Sequence, residues 1–259
     1  MDSRSFYAAC APFYDADYGV LGRTEDVDLY VELARESGGP VLEMGCGSGR
    51  ILLPTARDGV EVTGLDASPD MLATLRRSLA AEPPEVQGRV RLVEGDVRDA
   101  DAGGRFALVT SPFRVVQHLV SRADQRAWLR NAARHLRPGG ELVFDVFQPD
   151  YGMIADSPLA TADLEREVDG TLLRRYSWAE HHPESQTCDL RFEWVVEEPG
   201  SGGRTLGAAQ TTTRWFTLPE LELLLELEGW EVADAWGAFD RTPFGPGAEE
   251  IVIRARRAR

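Results

Sequence analysis

A glycine-rich turn and two carboxylates that follow it are the residues whose types and spacing could bind a ligand. The segment Val41–Arg50 reads as a buried strand that runs into a turn from Gly45 to Gly49 and then opens a helix. Glycines let the backbone adopt positive φ and approach a ligand closely, and a helix N-terminus favours an anionic group. Alone, this turn is equally consistent with an ordinary strand-to-helix connection and with half of a dinucleotide-binding fingerprint.

Asp66 makes a nucleoside ligand the better interpretation. It ends the next predicted strand, about 20 residues past the glycines, where a carboxylate can accept hydrogen bonds from both hydroxyls of a ribose. The same spacing suits a nicotinamide dinucleotide, so Asp66 does not choose between nucleoside cofactors.

Asp96 and the position of the third glycine separate these cofactor classes. Asp96 ends the third predicted strand, where its carboxylate can accept from an adenine amino group, and Val97 can offer a backbone N–H. Dinucleotide-binding folds do not require this acid. The third glycine is Gly49, one residue earlier than the G-x-G-x-x-G pattern needs. The turn therefore favours a cofactor with a methionine tail.

The elements around these residues alternate strands with helices, which is typical of a doubly wound parallel sheet. Ser68 and Ser121 are predicted N-cap residues, and the second helix is expected to run to about Leu136 before Arg137–Gly140 breaks it and turns into the next strand. The predicted strands are Pro40–Met44, Val60–Leu65, Val90–Val93, Phe106–Thr110 and Glu141–Val146.

The pattern changes after residue 150, where we expect an antiparallel β insertion over residues 160–216. Strands are predicted at Leu172–Trp178, Cys188–Val196 and Thr211–Phe216, with a turn at Gly200–Gly203. Alternate residues of the second strand are apolar, which indicates one solvated face. The α/β pattern resumes over residues 217–259. Its predicted elements are a helix capped by Thr217 and Glu220 and strands at Trp230–Trp236 and Ile251–Ala255.

Composition limits the function classes. The formal net charge is −15, from 28 basic and 43 acidic residues, so the average field repels nucleic acid. No apolar run approaches the roughly 20 residues of a membrane helix. We expect a cytoplasmic protein, because Cys10, Cys46 and Cys188 form no disulfide framework and the N-terminus does not resemble a secretion signal. The chain has no Lys, which excludes Schiff-base chemistry.

Together, the three motifs resemble those of class I S-adenosylmethionine-dependent methyltransferases, over residues 40–146 and again from about 213 to 255. The resemblance implies a single domain, 1–259, with a Rossmann-like, seven-stranded, mostly parallel sheet. It also implies a helical cap at 1–38, a cofactor-binding core at 40–150 and a β insertion that forms a lid or dimer surface. The cofactor would be S-adenosylmethionine. Its implied contacts are Glu43, Gly45, Cys46, Gly47, Asp66, Ala67, Met71, Asp96, Val97 and Ser111.

The segment after the fourth strand is where a methyl acceptor would approach. Thr110–Phe113 partly matches the motif of nucleic-acid amine methyltransferases, but the net charge opposes that substrate. His118 and Leu119 are similar to a pair in the amino-sugar N-methyltransferases of antibiotic pathways. That resemblance implies that His118 is a base or positioning group, with a pKa near neutrality that suits both roles, and that Tyr14 folds over the cofactor.

The remaining candidates concern the acceptor. The residues expected to shape its pocket are Phe113, Arg174, Tyr176, Trp178 and Arg214. No metal is expected at residues 180–189, since their His, Cys and acidic side chains lack paired ligand spacing. The leading hypothesis is N- or O-methylation of a small molecule in specialised metabolism, with N favoured and a homodimer left open. A nicotinamide-dependent oxidoreductase and a catalytically silent S-adenosylmethionine-binding subunit are the alternatives.

Overall fold

The computed structural model of the protein describes residues 3–11, 13, 17, 24–168, 171–197 and 203–258. The chain forms two compact units, which we call the core unit (residues 24–149 and 216–259) and the insertion unit (residues 1–23 and 150–215). Over the described ranges, no helix has the length and apolar character needed to cross a membrane.

The core unit is built on a seven-stranded sheet. Its strands are β1 (Val41–Met44), β2 (Val62–Asp66), β3 (Val90–Glu94), β4 (Phe106–Ser111), β5 (Leu136–Phe147), β10 (Trp230–Trp236) and β11 (Glu250–Arg257). Their order is β3-β2-β1-β4-β5-β11-β10, and β11 runs antiparallel to both of its neighbours while β1 to β5 are parallel. All residues of β1 and β4 are buried, as expected where helices cover both faces of a parallel sheet. The predicted Rossmann-like sheet is confirmed.

Helices connect these strands. They are α2 (Glu25–Ser37), α3 (Leu52–Arg57), α4 (Pro69–Ala80), α5 (Pro84–Gln87), a 3₁₀ helix (Val115–His118), α6 (Arg122–His135) and α8 (Leu218–Leu227). Ser68 Oγ accepts from Met71 N at 3.3 Å and Ser121 Oγ from Asp124 N at 3.1 Å, so both predicted caps are confirmed. Thr217 is the N-cap residue of α8, as predicted, but its side chain makes no cap hydrogen bond.

The predicted break at Arg137–Gly140 is part of a strand. The helix ends at His135, but β5 begins directly at Leu136. Leu136 pairs with Phe106, and the next paired residue, Glu141, pairs with Leu108. The four residues between them bulge out of the ladder, which explains why their Pro and Gly residues resemble a loop.

The insertion unit holds a separate four-stranded antiparallel sheet of order β6-β7-β8-β9. Its strands are β6 (Leu159–Val168), β7 (Thr171–His182), β8 (Thr187–Glu197) and β9 (Arg204–Arg214), with helices α1 (Ser3–Cys10) and α7 (Tyr151–Ala155). The sequence missed β6, because it is an edge strand that buries Leu164 but is otherwise mostly exposed. The third predicted strand starts earlier, at Arg204, and the predicted glycine turn lies mostly outside the described residues.

The N-terminal segment of the insertion unit carries a fully buried carboxylate. Asp17 is 0% exposed, and its Oδ2 accepts from Trp194 Nε1 at 2.8 Å and from Arg175 Nη1 at 3.3 Å. Phe13 stacks on the same Trp194 ring, with centroids 4.5 Å apart. The predicted helical cap at 1–38 is therefore divided between the units, because these contacts group residues 1–23 with the insertion.

Candidate active site

Three glycines with positive φ form the turn between β1 and α3. Their φ values are 82° at Gly45, 53° at Gly47 and 90° at Gly49. The Gly45 and Cys46 N–H groups both donate to the carbonyl of Leu65, at 2.7 and 3.2 Å, which ties the turn to β2. An added Cβ at Gly45 would overlap the Val115 side chain. The turn therefore requires glycine for its conformation, and at Gly45 and Gly49 also for space, since a Cβ on Gly49 would overlap Leu75.

Gly45→Ala is expected to lower the free energy of unfolding by about 2–4 kcal/mol, because it adds a strained φ and a steric overlap. Gly59→Ala is the matched control, since Gly59 has φ 97° but nothing within 4 Å of an added Cβ. Its loss should be about 1–2 kcal/mol, from the strained φ alone. Urea denaturation measures both values, and Val115→Ala should restore part of the loss in Gly45→Ala. Equal losses in the two alanine variants would contradict the overlap.

Asp66 joins the glycine turn to the start of α4. Its Oδ2 accepts from Gly47 N and its Oδ1 from Ser68 N, both at 2.8 Å. Burial raises the pKa of Asp66, although the backbone N–H groups of Ser68, Gly47 and Ala67 oppose that shift. Each carboxylate oxygen has a second lone pair, so Asp66 can hold the turn and still accept from ribose hydroxyls.

Glu43 is a buried acid beneath the turn. Its side chain lies in β1, where the residue is 3% exposed. Burial raises the pKa of Glu43 to about 8; nearby Arg50 lowers this pKa, and Asp66 and Asp26 raise it. The guanidinium of Arg50 is itself held by both carboxylate oxygens of Asp26. The site thus contains a carboxyl group that is largely protonated at neutral pH.

Asp96 forms a bidentate ion pair at the end of β3. Arg98 Nε donates to its Oδ1 at 2.8 Å and Arg98 Nη2 to its Oδ2 at 2.6 Å, while Arg98 Nη1 binds Asp124 at 2.7 Å. The Asp96 and Arg98 side chains are 28% and 44% exposed, so the pair contributes little to stability. The carboxylate therefore lies at an accessible position, where its adenine contact stays a prediction.

The other predicted cofactor residues lie around the turn. Met71 is buried, and its Cε is 3.3 Å from the position that a Cβ on Gly47 would take. Burial raises the pKa of the Cys46 thiol well above its ordinary value, so this thiol is inert. Ser111 is fully buried at the end of β4, where its Oγ accepts from Trp128 Nε1 at 3.0 Å.

The loop after β4, residues 112–119, which we call the β4 loop, has an unusual backbone. Phe113 and Arg114 adopt φ values of 56° and 65°, a region that costs non-glycine residues about 1–3 kcal/mol each. Their N–H groups donate to one carboxylate, that of Asp145 in β5, at 2.8 and 3.2 Å. Tyr30 OH donates to the same group at 2.7 Å.

His118 ends the 3₁₀ helix within the β4 loop. Burial lowers the pKa of its imidazole to about 4, because the charged form loses its hydration. The expected pKa near neutrality is therefore wrong, and the ring is neutral at physiological pH. At the start of the same helix, Val115 packs against Gly45, so the loop that carries His118 contacts the glycine turn.

A family model of methyltransferase domains matches residues 41–140, the stretch that contains the glycine turn, Asp66 and Asp96. The chain is also 31% identical over 197 residues to the dTDP-3-amino-3,6-dideoxy-alpha-D-glucopyranose N,N-dimethyltransferase of Streptomyces fradiae. That match covers 74% of this chain and 72% of the relative. The chain belongs to the S-adenosylmethionine-dependent methyltransferase family.

Other proteins that this methyltransferase resembles are also methyltransferases. It is 28% identical over 219 residues to the cypemycin N-terminal methyltransferase of a Streptomyces species, covering 83% of this chain and 82% of that protein. The structure of the CcbJ methyltransferase from Streptomyces caelestis matches with a TM-score of 0.84, 27% identity and 100% coverage of both chains. The S-adenosylmethionine-bound structure of CalS10, an amino pentose methyltransferase from Micromonospora echinaspora involved in calicheamicin biosynthesis, matches with a TM-score of 0.72. Its identity is 26%, with 95% and 96% coverage.

The cofactor of this methyltransferase is S-adenosylmethionine, and the nicotinamide alternative is excluded. The residues present fit that cofactor. The positive-φ glycines let the backbone after β1 approach a ligand closely. Beside them, Asp66 keeps acceptor lone pairs for ribose hydroxyls while it holds the turn.

The remaining acceptor candidates of the methyltransferase lie in the insertion unit. Arg174, Tyr176 and Trp178 alternate along β7 and so share one face of its sheet. Arg174 Nε donates to Glu165 Oε1 at 2.5 Å, and Arg214 Nη2 donates to Gln186 Oε1 at 3.2 Å. Their contacts with an acceptor stay predictions, and Tyr14 lies outside the described residues.

Residues 180–189 contain His, Cys and acidic side chains, for which no metal is expected from the sequence. Two of these side chains form a hydrogen bond with each other. His182 Nε2 lies 3.2 Å from Asp189 Oδ2. In the part of the chain that the structure describes, no group of three or more His, Cys, Asp or Glu side chains could hold a metal ion.

Sequence analysis missed Asp145, Tyr30 and Arg50 in this methyltransferase. The sequence could have indicated a role for Asp145, because it is a single acid inside the apolar run Leu142–Phe147. A carboxylate that is buried in a strand needs hydrogen-bond partners. Tyr30 and Arg50 gave no such indication, because an aromatic residue in a helix and an arginine after a turn are common in any α/β protein.

Proposed function

We propose that this methyltransferase transfers a methyl group to an amine nitrogen of a small molecule in specialised metabolism, such as an amino sugar or a peptide N-terminus. Two of the relatives named above are an amino-sugar N,N-dimethyltransferase and an N-terminal methyltransferase. Nitrogen is favoured over oxygen because the first of these relatives methylates nitrogen, and the low pKa of His118, in the loop that contacts the glycine turn, agrees with this. A hydroxyl must lose its proton as it attacks, and an imidazole with a pKa of about 4 is a weak base. An amine attacks with its own lone pair.

The chain's own residues would supply alignment. When bound, the cofactor supplies an electrophilic methyl group on a sulfonium, and displacement requires the nucleophile in line with it. The glycine turn and Asp66 would fix the cofactor. The β4 loop touches that turn through Val115, so Phe113 and His118 would hold the acceptor beside it. His118 would accept a hydrogen bond from the neutral amine.

A paired acceptor panel tests this proposal. Each amino sugar nucleotide is assayed beside its hydroxyl analogue, and each peptide with a free N-terminus beside its acetylated form, with S-adenosylmethionine as donor. Transfer to the amine member of at least one pair supports the proposal, and equal transfer to the hydroxyl member contradicts it. If S-adenosylhomocysteine raises the melting temperature but no acceptor is methylated, a silent cofactor-binding subunit is the better interpretation.

The pH dependence of turnover should show no ionisation of His118 near pH 6.5. Because its pKa is about 4, the ring stays neutral down to pH 5, and the rate should show no inflection from this histidine between pH 5 and pH 7. His118→Ala should lower kcat about 10- to 100-fold while the Kd for S-adenosylhomocysteine changes less than about threefold. His118→Gln, which keeps a hydrogen-bond acceptor, should lose less. A wild-type inflection near pH 6.5 that disappears in His118→Gln would show that the histidine is a titrating base.

A further inference from the structure

The structure assigns a positioning role in methyl transfer to Asp145, a residue that we do not expect to touch the substrate or the cofactor. We infer that its carboxylate holds the β4 loop in the conformation that places Phe113 and His118 for the acceptor. This inference rests on the proposed function, because the β4 loop is where that function places the acceptor.

The carboxylate of Asp145 is enclosed within the core unit. The residue is 0% exposed near the C-terminal end of β5, and it accepts three hydrogen bonds. Oδ1 accepts from Phe113 N at 2.8 Å and from Tyr30 OH at 2.7 Å, and Oδ2 accepts from Arg114 N at 3.2 Å. A buried carboxylate is costly unless such donors surround it, so its retention inside an apolar strand needs a reason.

The backbone of the β4 loop supplies that reason. Phe113 and Arg114 are consecutive non-glycine residues with positive φ, a conformation that persists only where the surroundings enforce it. In this conformation their two N–H groups converge on one point, as in the backbone nests that bind anions. Asp145 is the anion at that point, so its charge stabilises the strained arrangement over relaxed ones.

Two contacts connect this arrangement to the chemistry. Val115, the next residue, packs against Gly45 of the glycine turn, and His118 follows three residues later in the same 3₁₀ helix. Arg50 stacks on the Phe113 ring, with its guanidinium carbon 4.5 Å from the ring centroid. A relaxed β4 loop would therefore shift Phe113 and His118 together, while Asp66 and its hydrogen bonds to Gly47 and Ser68 would stay in place.

Tyr30 fixes the orientation of the carboxylate. Burial and the adjacent Asp145 raise the pKa of the Tyr30 phenol well above its ordinary value, so it remains a proton donor throughout the working pH range. Its hydrogen bond to Oδ1 adds a third donor to the two N–H groups of the β4 loop. Tyr30→Phe should therefore weaken the arrangement without removing the charge.

The first test separates turnover from cofactor binding. Asp145→Asn replaces one oxygen with an NH₂ group that faces a backbone donor, and we expect kcat to fall about 10- to 100-fold. The Kd for S-adenosylhomocysteine should change less than about threefold, because the glycine turn is unaltered. Tyr30→Phe should show a smaller fall in kcat with the same unchanged Kd, and it serves if Asp145→Asn does not fold. Wild-type kcat in both variants would overturn the inference.

The second test relieves the backbone strain. Arg114→Gly and Arg114→Ala both remove the guanidinium, but only glycine adopts φ 65° without a steric penalty. In the Asp145→Asn background the glycine variant should therefore turn over at least about threefold faster than the alanine variant. Equal rates for the glycine and alanine variants would overturn the strain argument. In that case Asp145→Asn would lower turnover by a general loss of stability and not through the positive φ of Arg114.

A third measurement does not depend on the acceptor. Hydrogen–deuterium exchange of the Phe113 and Arg114 amides should accelerate at least about tenfold in Asp145→Asn, while β2 stays protected. If the wild type methylates no amine but this acceleration is seen, the proposed function fails and the loop assignment stands. Unchanged exchange overturns the loop assignment whatever the acceptor is.

Discussion

Asp66→Ala is expected to raise the Kd of the methyltransferase for S-adenosylhomocysteine by at least about 100-fold. The substitution removes the acceptor that we predict for two ribose hydroxyls, and a hydrogen bond to a charged group contributes about 1.5–3 kcal/mol. It also releases the N–H groups of Gly47 and Ser68, which Asp66 holds at 2.8 Å. Isothermal titration calorimetry measures the Kd directly. Asp66→Asn should fall between the wild type and Asp66→Ala, because it keeps one acceptor oxygen.

Asp70→Ala is the matched control for that experiment. Asp70 is an exposed acid in the first turn of α4, four residues from Asp66, so both substitutions remove one negative charge from the same region. Its Kd should stay within about threefold of the wild-type value, because an exposed side chain loses little when its charge is removed. Similar weakening by both substitutions would show that overall charge, not a directed hydrogen bond at Asp66, determines affinity.

Glu43→Gln is expected to stabilise the cofactor-free protein at pH 8.5 by about 2–4 kcal/mol and to change its stability little at pH 5. The pKa of Glu43 is about 8 in the folded protein, against an ordinary value of 4.5. Between these values the folded chain keeps a proton that the unfolded chain releases. The free energy of unfolding therefore falls as pH rises through this window, by up to about 1.4 kcal/mol per pH unit. Glutamine has no proton to lose and abolishes this contribution.

Urea denaturation at pH 5, 7 and 8.5 measures this effect. Burial also raises the pKa of Asp145, which remains in the variant, so its contribution cancels in the difference between the two proteins. Asp66 interacts with Glu43, so the release of that repulsion is part of the measured difference. The difference should grow steadily with pH. Parallel stability curves for wild type and Glu43→Gln would mean that Glu43 is ionised in the folded protein.

The fold could be predicted where local signals agreed with each other. The parallel strands of the core unit are short apolar runs, and Ser68 and Ser121 mark helix starts with side chains whose capping bonds exist in the structure. The failures have tertiary causes. Strand β6 is held mainly by pairing with β7, so its own residues lack an apolar alternation. Arg137–Gly140 resembles a loop in composition. It is a bulge within β5, and this can be recognised only from the pairing of the flanking residues with β4.

The residues of the candidate site also differ in whether the sequence could predict them. The positions of Asp66 and Asp96 could be predicted because they follow from where strands end, which is a local property, whereas their contacts with the cofactor stay predictions. The pKa of His118 could not be predicted, since it depends on burial by the folded chain. Asp145 meets Phe113 from 32 residues away and Tyr30 from 115 residues away, distances at which spacing in the sequence carries no information.

The buried carboxylate of Asp17 limits how the insertion unit can be exchanged during evolution. Asp17 belongs to the N-terminal segment, but its partners Arg175 and Trp194 come from β7 and β8. A recombination event that replaced residues 150–215 alone would remove Arg175 and Trp194, and Asp17 would lose both hydrogen-bond donors. A buried charge that loses its counterion costs about 3–5 kcal/mol. The two segments are therefore expected to be inherited as a pair, although more than 120 residues of the core unit separate them in the gene.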